Sequence, residues 1–172
     1  MNARIPMADP AAGGAPLAER ARQEFLTFRL GEEIYGIDIL KVQEIREVER
    51  VTRVPRVAPY LRGVINLRGA IVPVVDLGLM FGFPAALELE GASAIVLNVD
   101  RRLVGLVVSG VSDVVALADD EILPPPELGA RVIGAAIAGI GTRRDASAGE
   151  EAASLLILDV EHLMRRIRAE RA

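Results

Sequence analysis

From Phe25 onward, apolar and polar residues alternate. Leu26, Phe28 and Leu30 are separated by Thr27 and Arg29, the period of two that marks a half-buried strand. Gly31-Glu32-Glu33 is a turn candidate, and Ile34 to Ile37 reads as a second strand. Asp38 can cap a short helical turn reaching Val42, after which Gln43 to Val48 returns to alternation with Ile45 and Val48 as its apolar members. Pro55 and Pro59 forbid regular helix and push their predecessors towards extended conformations, so RVPRVAPYLRG is expected as an ordered surface connection.

Two β-rich runs follow, Val64 to Leu67 and Ala70 to Val75, separated by Arg68-Gly69, where glycine can take positive φ in a tight hairpin. Pro73 lacks a ladder N–H and marks an edge or a bend, and Asp76 opens a helical turn in LGLMFGF. A second series of strands begins at Ile95 and continues through Leu103 to Val108 and Val111 to Leu117, with Asp100-Arg101-Arg102 as a turn. A short turn lies between Asp119-Asp120-Glu121 and Pro124-Pro125-Pro126. Strand regions are expected at Val132 to Ile140 and Leu155 to Val160. In the last segment, 160–171, Leu163, Met164 and Ile167 stand at helical spacing with one apolar face, which predicts a short docking helix.

Many short strands with Gly and Pro punctuation and little helix predict an all-β fold, built as two small barrels. The stretch AALELEGA, residues 85–92, is expected to be the seam between lobes. Residues 1–22 read as a disordered leader, 23–168 as the folded unit, and 142–154 as a mobile surface loop too rich in charge and small residues to bury much surface.

Composition narrows the function. The 172 residues suit one compact domain or two small lobes sharing a core, and with 51% apolar but only 3% aromatic residues the packing must be aliphatic. A net charge of -4 supplies no concentrated positive field for nucleic-acid backbones. The absence of cysteine removes disulfides, thiol nucleophiles and thiolate metal sites and fits a reducing, cytoplasmic compartment. Neither LGLMFGFPAAL nor VIGAAIAGIGT approaches the ~20 apolar residues of a membrane span.

Candidate chemistry is sparse. His162 stands alone without cysteine or a second histidine to complete a metal set, and reads as a helix residue. Asp119, Asp120 and Glu121 are sequence neighbours that suit a capped turn better than a reaction centre. Gly13-Gly14 and Gly139-Ile140-Gly141 match neither the phosphate-loop nor the dinucleotide fingerprint. Ser109, Ser112, Ser147 and Ser154 lack a nucleophile-elbow context. No cofactor, no metal and no catalysis are therefore expected. What remains is a surface, in which the Arg68-Gly69 tip and Val42-Gln43-Glu44-Ile45 set charge beside exposable aliphatics, a composition suited to protein recognition.

The blocks QEFLTFRLGEEIYGIDILKVQEIREV, LRGVINLRGAIVPVVDL, AIVLN, RLVGLVVSGVSDVVAL and ILPPPE closely resemble, in order and spacing, the CheW family of chemotaxis coupling adaptors. The likeness covers about residues 23 to 165. It implies two five-stranded SH3-like β-barrels, and binding both to the cytoplasmic tip of a methyl-accepting chemoreceptor bundle and to the regulatory domain of the histidine kinase CheA. It also implies a cytoplasmic, array-associated location, with no reaction catalysed, no nucleic acid bound and no membrane insertion. Receptor contacts of the family match Val42, Glu44, Ile45, Gly63 and Arg68. In this role Val42 and Ile45 would bury apolar surface on receptor helices, Gly63 would permit close backbone approach, and Arg68 would pair with Glu44. The long 142–154 loop and the prolines at 55 and 59 depart from the family's usual text. Three other readings stand beside this one: an adaptor for another chemosensory pathway, an RNA-binding SH3-like barrel, and a hydrolase using the Asp119 cluster.

Overall fold

The computed structural model describes residues 21–125, 136–143 and 153–171. Eleven strands appear among them: β1 (Arg22–Leu30), β2 (Glu33–Asp38), β3 (Val42–Glu47), β4 (Leu61–Leu67), β5 (Ala70–Asp76), β6 (Ser93–Val99), β7 (Arg102–Val108), β8 (Gly110–Ala118), β9 (Ile122–Leu123), β10 (Ile137–Arg143) and β11 (Ala153–Leu158). Two helices, α1 (Leu77–Met80) and α2 (Val160–Arg171), and two 3-10 turns at Ile39–Lys41 and Asp119–Glu121 complete the described chain. The fold is all-β, as expected, with the docking helix in place. The expected disordered leader and mobile loop fall largely on residues outside those described.

The strands form a six-stranded sheet in the order β8-β1-β2-β11-β10-β9 and a five-stranded sheet in the order β3-β6-β7-β5-β4. The sixth strand of the first sheet, β9, is only two residues long, so each lobe has the size expected of a small barrel. A seam at 85–92 does not divide them: β5 before it and β6 after it lie in the same sheet. The chain instead enters the second sheet through the turn at 39–41 and leaves it at Ser109, whose N–H donates to the Arg29 carbonyl at 3.0 Å. The alternating glutamates of 85–92 belong to a surface strap whose Leu87 and Leu89 pack half-buried on the second lobe's core.

Three apolar clusters explain why so aliphatic a sequence folds this way. One lies within the second lobe, around Ile65, Leu67, Val72, Val74, Val96 and Val107, and a small one within the first joins Phe25, Leu117, Leu155 and Ile157. The largest is shared: Phe28, Leu30, Tyr35 and Ile37 of the first sheet meet Val75, Ile95, Leu97 and Leu106 of the second, closed by Leu163, Met164 and Ile167 of α2. β6 therefore has core on both faces, which is why Ala94 to Leu97 is a continuous buried run with no alternation. The scarce aromatics concentrate here, with Phe28 stacked on its cross-strand partner Tyr35 at 5.8 Å and Phe81 5.7 Å beyond.

Candidate functional site

The five sequence-predicted site residues lie on two strands and one turn of the second sheet. Val42, Glu44 and Ile45 belong to β3, Gly63 to β4, and Arg68 to the turn joining β4 and β5. β3 is an outer strand, paired only with β6, so its other edge and half its side chains face out.

A bulge shapes β3. Val42 pairs with Leu97, Glu44 with Val96 and Ile45 with Ile95, so one extra residue is accommodated between Val42 and Glu44. Val42 and Ile45, three apart, thereby share a face with Leu97 and Ile95, two apart; an unbulged strand would put them on opposite faces. Val42 packs half-buried on the shared core, while Ile45 stays 46% exposed.

Glu44 faces the other way, towards Arg68. Leu67 pairs with Ala70, leaving Arg68 and Gly69 as a two-residue loop with φ of 51° and 89°. Two positive φ values are what a type I′ hairpin turn requires. Asn66 Oδ1 accepts the Gly69 N–H at 2.8 Å and fixes the tip. Arg68 Nη2 then donates to Glu44 Oε2 at 2.7 Å, with 72% of the arginine side chain exposed and only 21% of the glutamate's. The expected pairing of these two residues is present. Sequence reasoning missed Arg46, whose Nη1 lies 3.6 Å from Glu44 Oε1. Its signal was available: after the bulge, residues two apart on a strand share a face.

Gly63 is not open to a partner's backbone. It sits at φ 144°, next to a second irregularity between Leu61 and Gly63, and a Cβ there would collide with the Thr52 carbonyl and lie 2.7 Å from Val51 Cγ1. The close approach that glycine permits is by the chain's own residues 51–52, bridged to Val64 by hydrogen bonds of 2.8 and 2.9 Å.

Of the remaining candidates, Glu121 and His162 take part in caps. Glu121 accepts the Ala118 N–H at 3.1 Å, and Asp159 accepts the His162 N–H at 3.0 Å at the start of α2. Among the described residues no group of His, Asp and Glu could hold a metal ion, and no helix is long and apolar enough to cross a membrane.

One charged cluster ties the lobe crossing to α2. Lys41 Nζ lies 2.9 Å from Glu161 Oε1. The hydrogen bond and charge of Glu161, then the fields of Asp38 and Asp100, raise the Lys41 pKa, and the bond to Lys41 lowers that of Glu161. A lowered carboxylate contributes stability above its unfolded value and loses it as pH falls through its folded one. A raised lysine contributes below its unfolded value and loses it as pH rises through its folded one. The tie is thus complete from above the ordinary carboxylate range to below the ordinary lysine range. Lys41→Ala is expected to raise the Glu161 pKa towards the ordinary range, read by carboxyl NMR titration; an unmoved value would mean that the pair is not formed in solution.

A CheW-like domain profile matches residues 24–168, most of the chain. The chain belongs to the CheW family. Chemotaxis protein CheW of Klebsiella aerogenes is 42% identical over 146 residues, 85% of this chain and 84% of that protein. Chemotaxis protein CheW of Treponema pallidum is 31% identical over 154 residues, 86% of each. The crystal structure of the scaffolding protein TtCheW from Thermoanaerobacter tengcongensis superposes with a TM-score of 0.71 at 29% identity, covering 81% of this chain and 90% of that one. The two-lobed all-β architecture described above is therefore that of a CheW-family member.

Proposed function

We propose that this CheW-family chain is a non-catalytic adaptor that couples chemoreceptors to the histidine kinase CheA, and that β3 with the β4–β5 tip is its receptor-facing surface. The observation that carries this reading is the Arg68–Glu44 pair. A left-handed, strained arginine is retained at a hairpin tip and clamped to a half-buried carboxylate beside the exposed Ile45. Non-glycine residues in that conformation cost about 1 kcal/mol or more, and such costs concentrate where a surface has a task. The exposed pair itself adds only ~0–1 kcal/mol to stability, so its value lies in presenting an arginine in one geometry. Val42 and Ile45, brought to one face by the bulge, supply adjoining apolar contact for receptor helices. Each contact can be weak, of the order of 1 μM, because an array of linked copies raises residence without new interfaces.

The test is reconstitution with receptor-containing membranes and CheA, reading kinase autophosphorylation. Arg68→Glu and Glu44→Arg alone are each expected to reduce activation by about tenfold, with melting temperatures near wild type, and the double charge swap to recover part of it. If wild type activates and both single variants activate equally, the adaptor reading stands and the surface is wrong. A wild type that neither sediments with the membranes nor activates the kinase removes the receptor and CheA assignments together.

A further inference from the structure

Away from the β3 surface, residues of α2, the β6–β7 turn and β5 come together. A cavity of about 390 Å³ opens there, with Ile71, Leu103 and Met164 as its apolar lining and Arg101, Arg102 and Arg168 around it. Ile71 is 63% exposed. All three arginines are exposed, and none forms an ion pair among the described residues, in a chain whose net charge is -4. Asp100, the carboxylate in the same turn, lends its field to Lys41.

The backbone adds a second observation. Val99 pairs with Arg102, so Asp100 and Arg101 form a two-residue loop with φ of 51° and 65°. The second position of such a turn is the one glycine fills most readily, yet here it carries an arginine. A long cationic side chain is thus held at a strained position that a smaller residue would occupy more comfortably.

We propose that Arg101, Arg102 and Arg168 form a cradle that docks an acidic segment of a partner protein, with an apolar side chain of that segment seated on Ile71 and Met164. Three like charges around one hollow repel each other until carboxylates enter, and the planar guanidinium fork is the group best matched to carboxylates. The apolar lining selects a segment with a hydrophobic residue among its acids. A flat anionic bilayer fits less well, because the hollow is concave and the chain as a whole is acidic. A nucleic acid would find no aromatic ring in the lining on which to stack. This surface is independent of the receptor reading.

The experiment measures fluorescence anisotropy of a labelled amphipathic peptide of glutamate and leucine added to the full chain. Binding is expected, weakening with salt, and reduced about tenfold or more by the triple variant R101Q/R102Q/R168Q. Ile71→Ser should also weaken it. Arg101→Gly separates docking from folding: its melting temperature should be unchanged or raised while peptide affinity falls. The proposal is overturned by no binding to wild type, by equal affinity in the triple variant, or by equal binding of a lysine–leucine peptide. Stronger binding to phosphatidylglycerol vesicles than to the peptide would also overturn it, as would self-association of the chain that the triple variant abolishes.

Discussion

Asp76→Ala is expected to lower the free energy of unfolding by about 3–5 kcal/mol, the cost of breaking a buried ion pair from one side. Asp76 is fully buried at the end of β5. Its Oδ1 accepts the Leu79 N–H at 3.1 Å, capping α1, and its Oδ2 accepts the Leu87 N–H at 2.9 Å and Arg62 Nη1 at 3.2 Å. Arg62 Nη1 also donates to the Leu87 carbonyl at 2.9 Å. One carboxylate therefore joins the helix start, the strap over 84–92 and a guanidinium only 20% exposed. Removing it strands that cation and two N–H groups at once. Urea unfolding reads the loss. Asp76→Asn, which keeps acceptor capacity but not the charge, should fall between wild type and alanine. A loss below about 1 kcal/mol for alanine would mean that Leu87 and Leu89 hold the strap by packing alone.

Gly63→Ala should cost about 3 kcal/mol, combining strain at positive φ with overpacking against backbone that cannot rotate away. The Thr52 carbonyl and Val51 have to retreat, and the Thr52–Val64 bridge goes with them. The same substitution divides two roles for this residue. If Gly63→Ala melts like wild type but fails to couple receptor and kinase, the glycine serves a partner. If it melts early and its residual folded fraction couples normally, the glycine serves the fold, as its contacts argue.

Local structure was largely legible in the sequence because it is set by near neighbours. The β1 strand through Leu26, Phe28 and Leu30, the Asp38 and Asp76 caps, the Arg68-Gly69 tip and the apolar face of α2 all depend on residues within a few positions of each other, and all are present, although β1 does not alternate as expected: Phe25 and Thr27 are buried as well, the Thr27 hydroxyl bonded to Asp113. Membership of sheets was not legible. The glutamate-rich 85–92 stretch has a linker's composition, and nothing local shows that β6 returns to pair with β3 across some fifty residues. The β3 bulge was hidden for the same reason, since it exists only relative to β6, and with it the shared face of Val42 and Ile45. The Glu44–Arg68 contact came from family likeness, because composition cannot bring two residues 24 apart together. The sequence around Asp76 shows a cap, and its second task, the pairing with Arg62, is set by the tertiary fold.

The interleaving of the lobes sets an order of assembly during synthesis. Every strand of the second sheet lies between Val42 and Val108, so that lobe has all its pairing partners as soon as this stretch has left the ribosome. The first sheet cannot close then: β2 waits for β11, its parallel neighbour, whose Leu155 pairs with Ile34. Until β11 and α2 arrive, Phe28, Tyr35 and Ile37 lean on the second lobe and, once it is made, on β8, whose Val111 pairs with Phe28. The early-finished lobe thus acts as the template on which the chain's first and last strands meet, and slow translation after residue 108 should favour correct folding over aggregation.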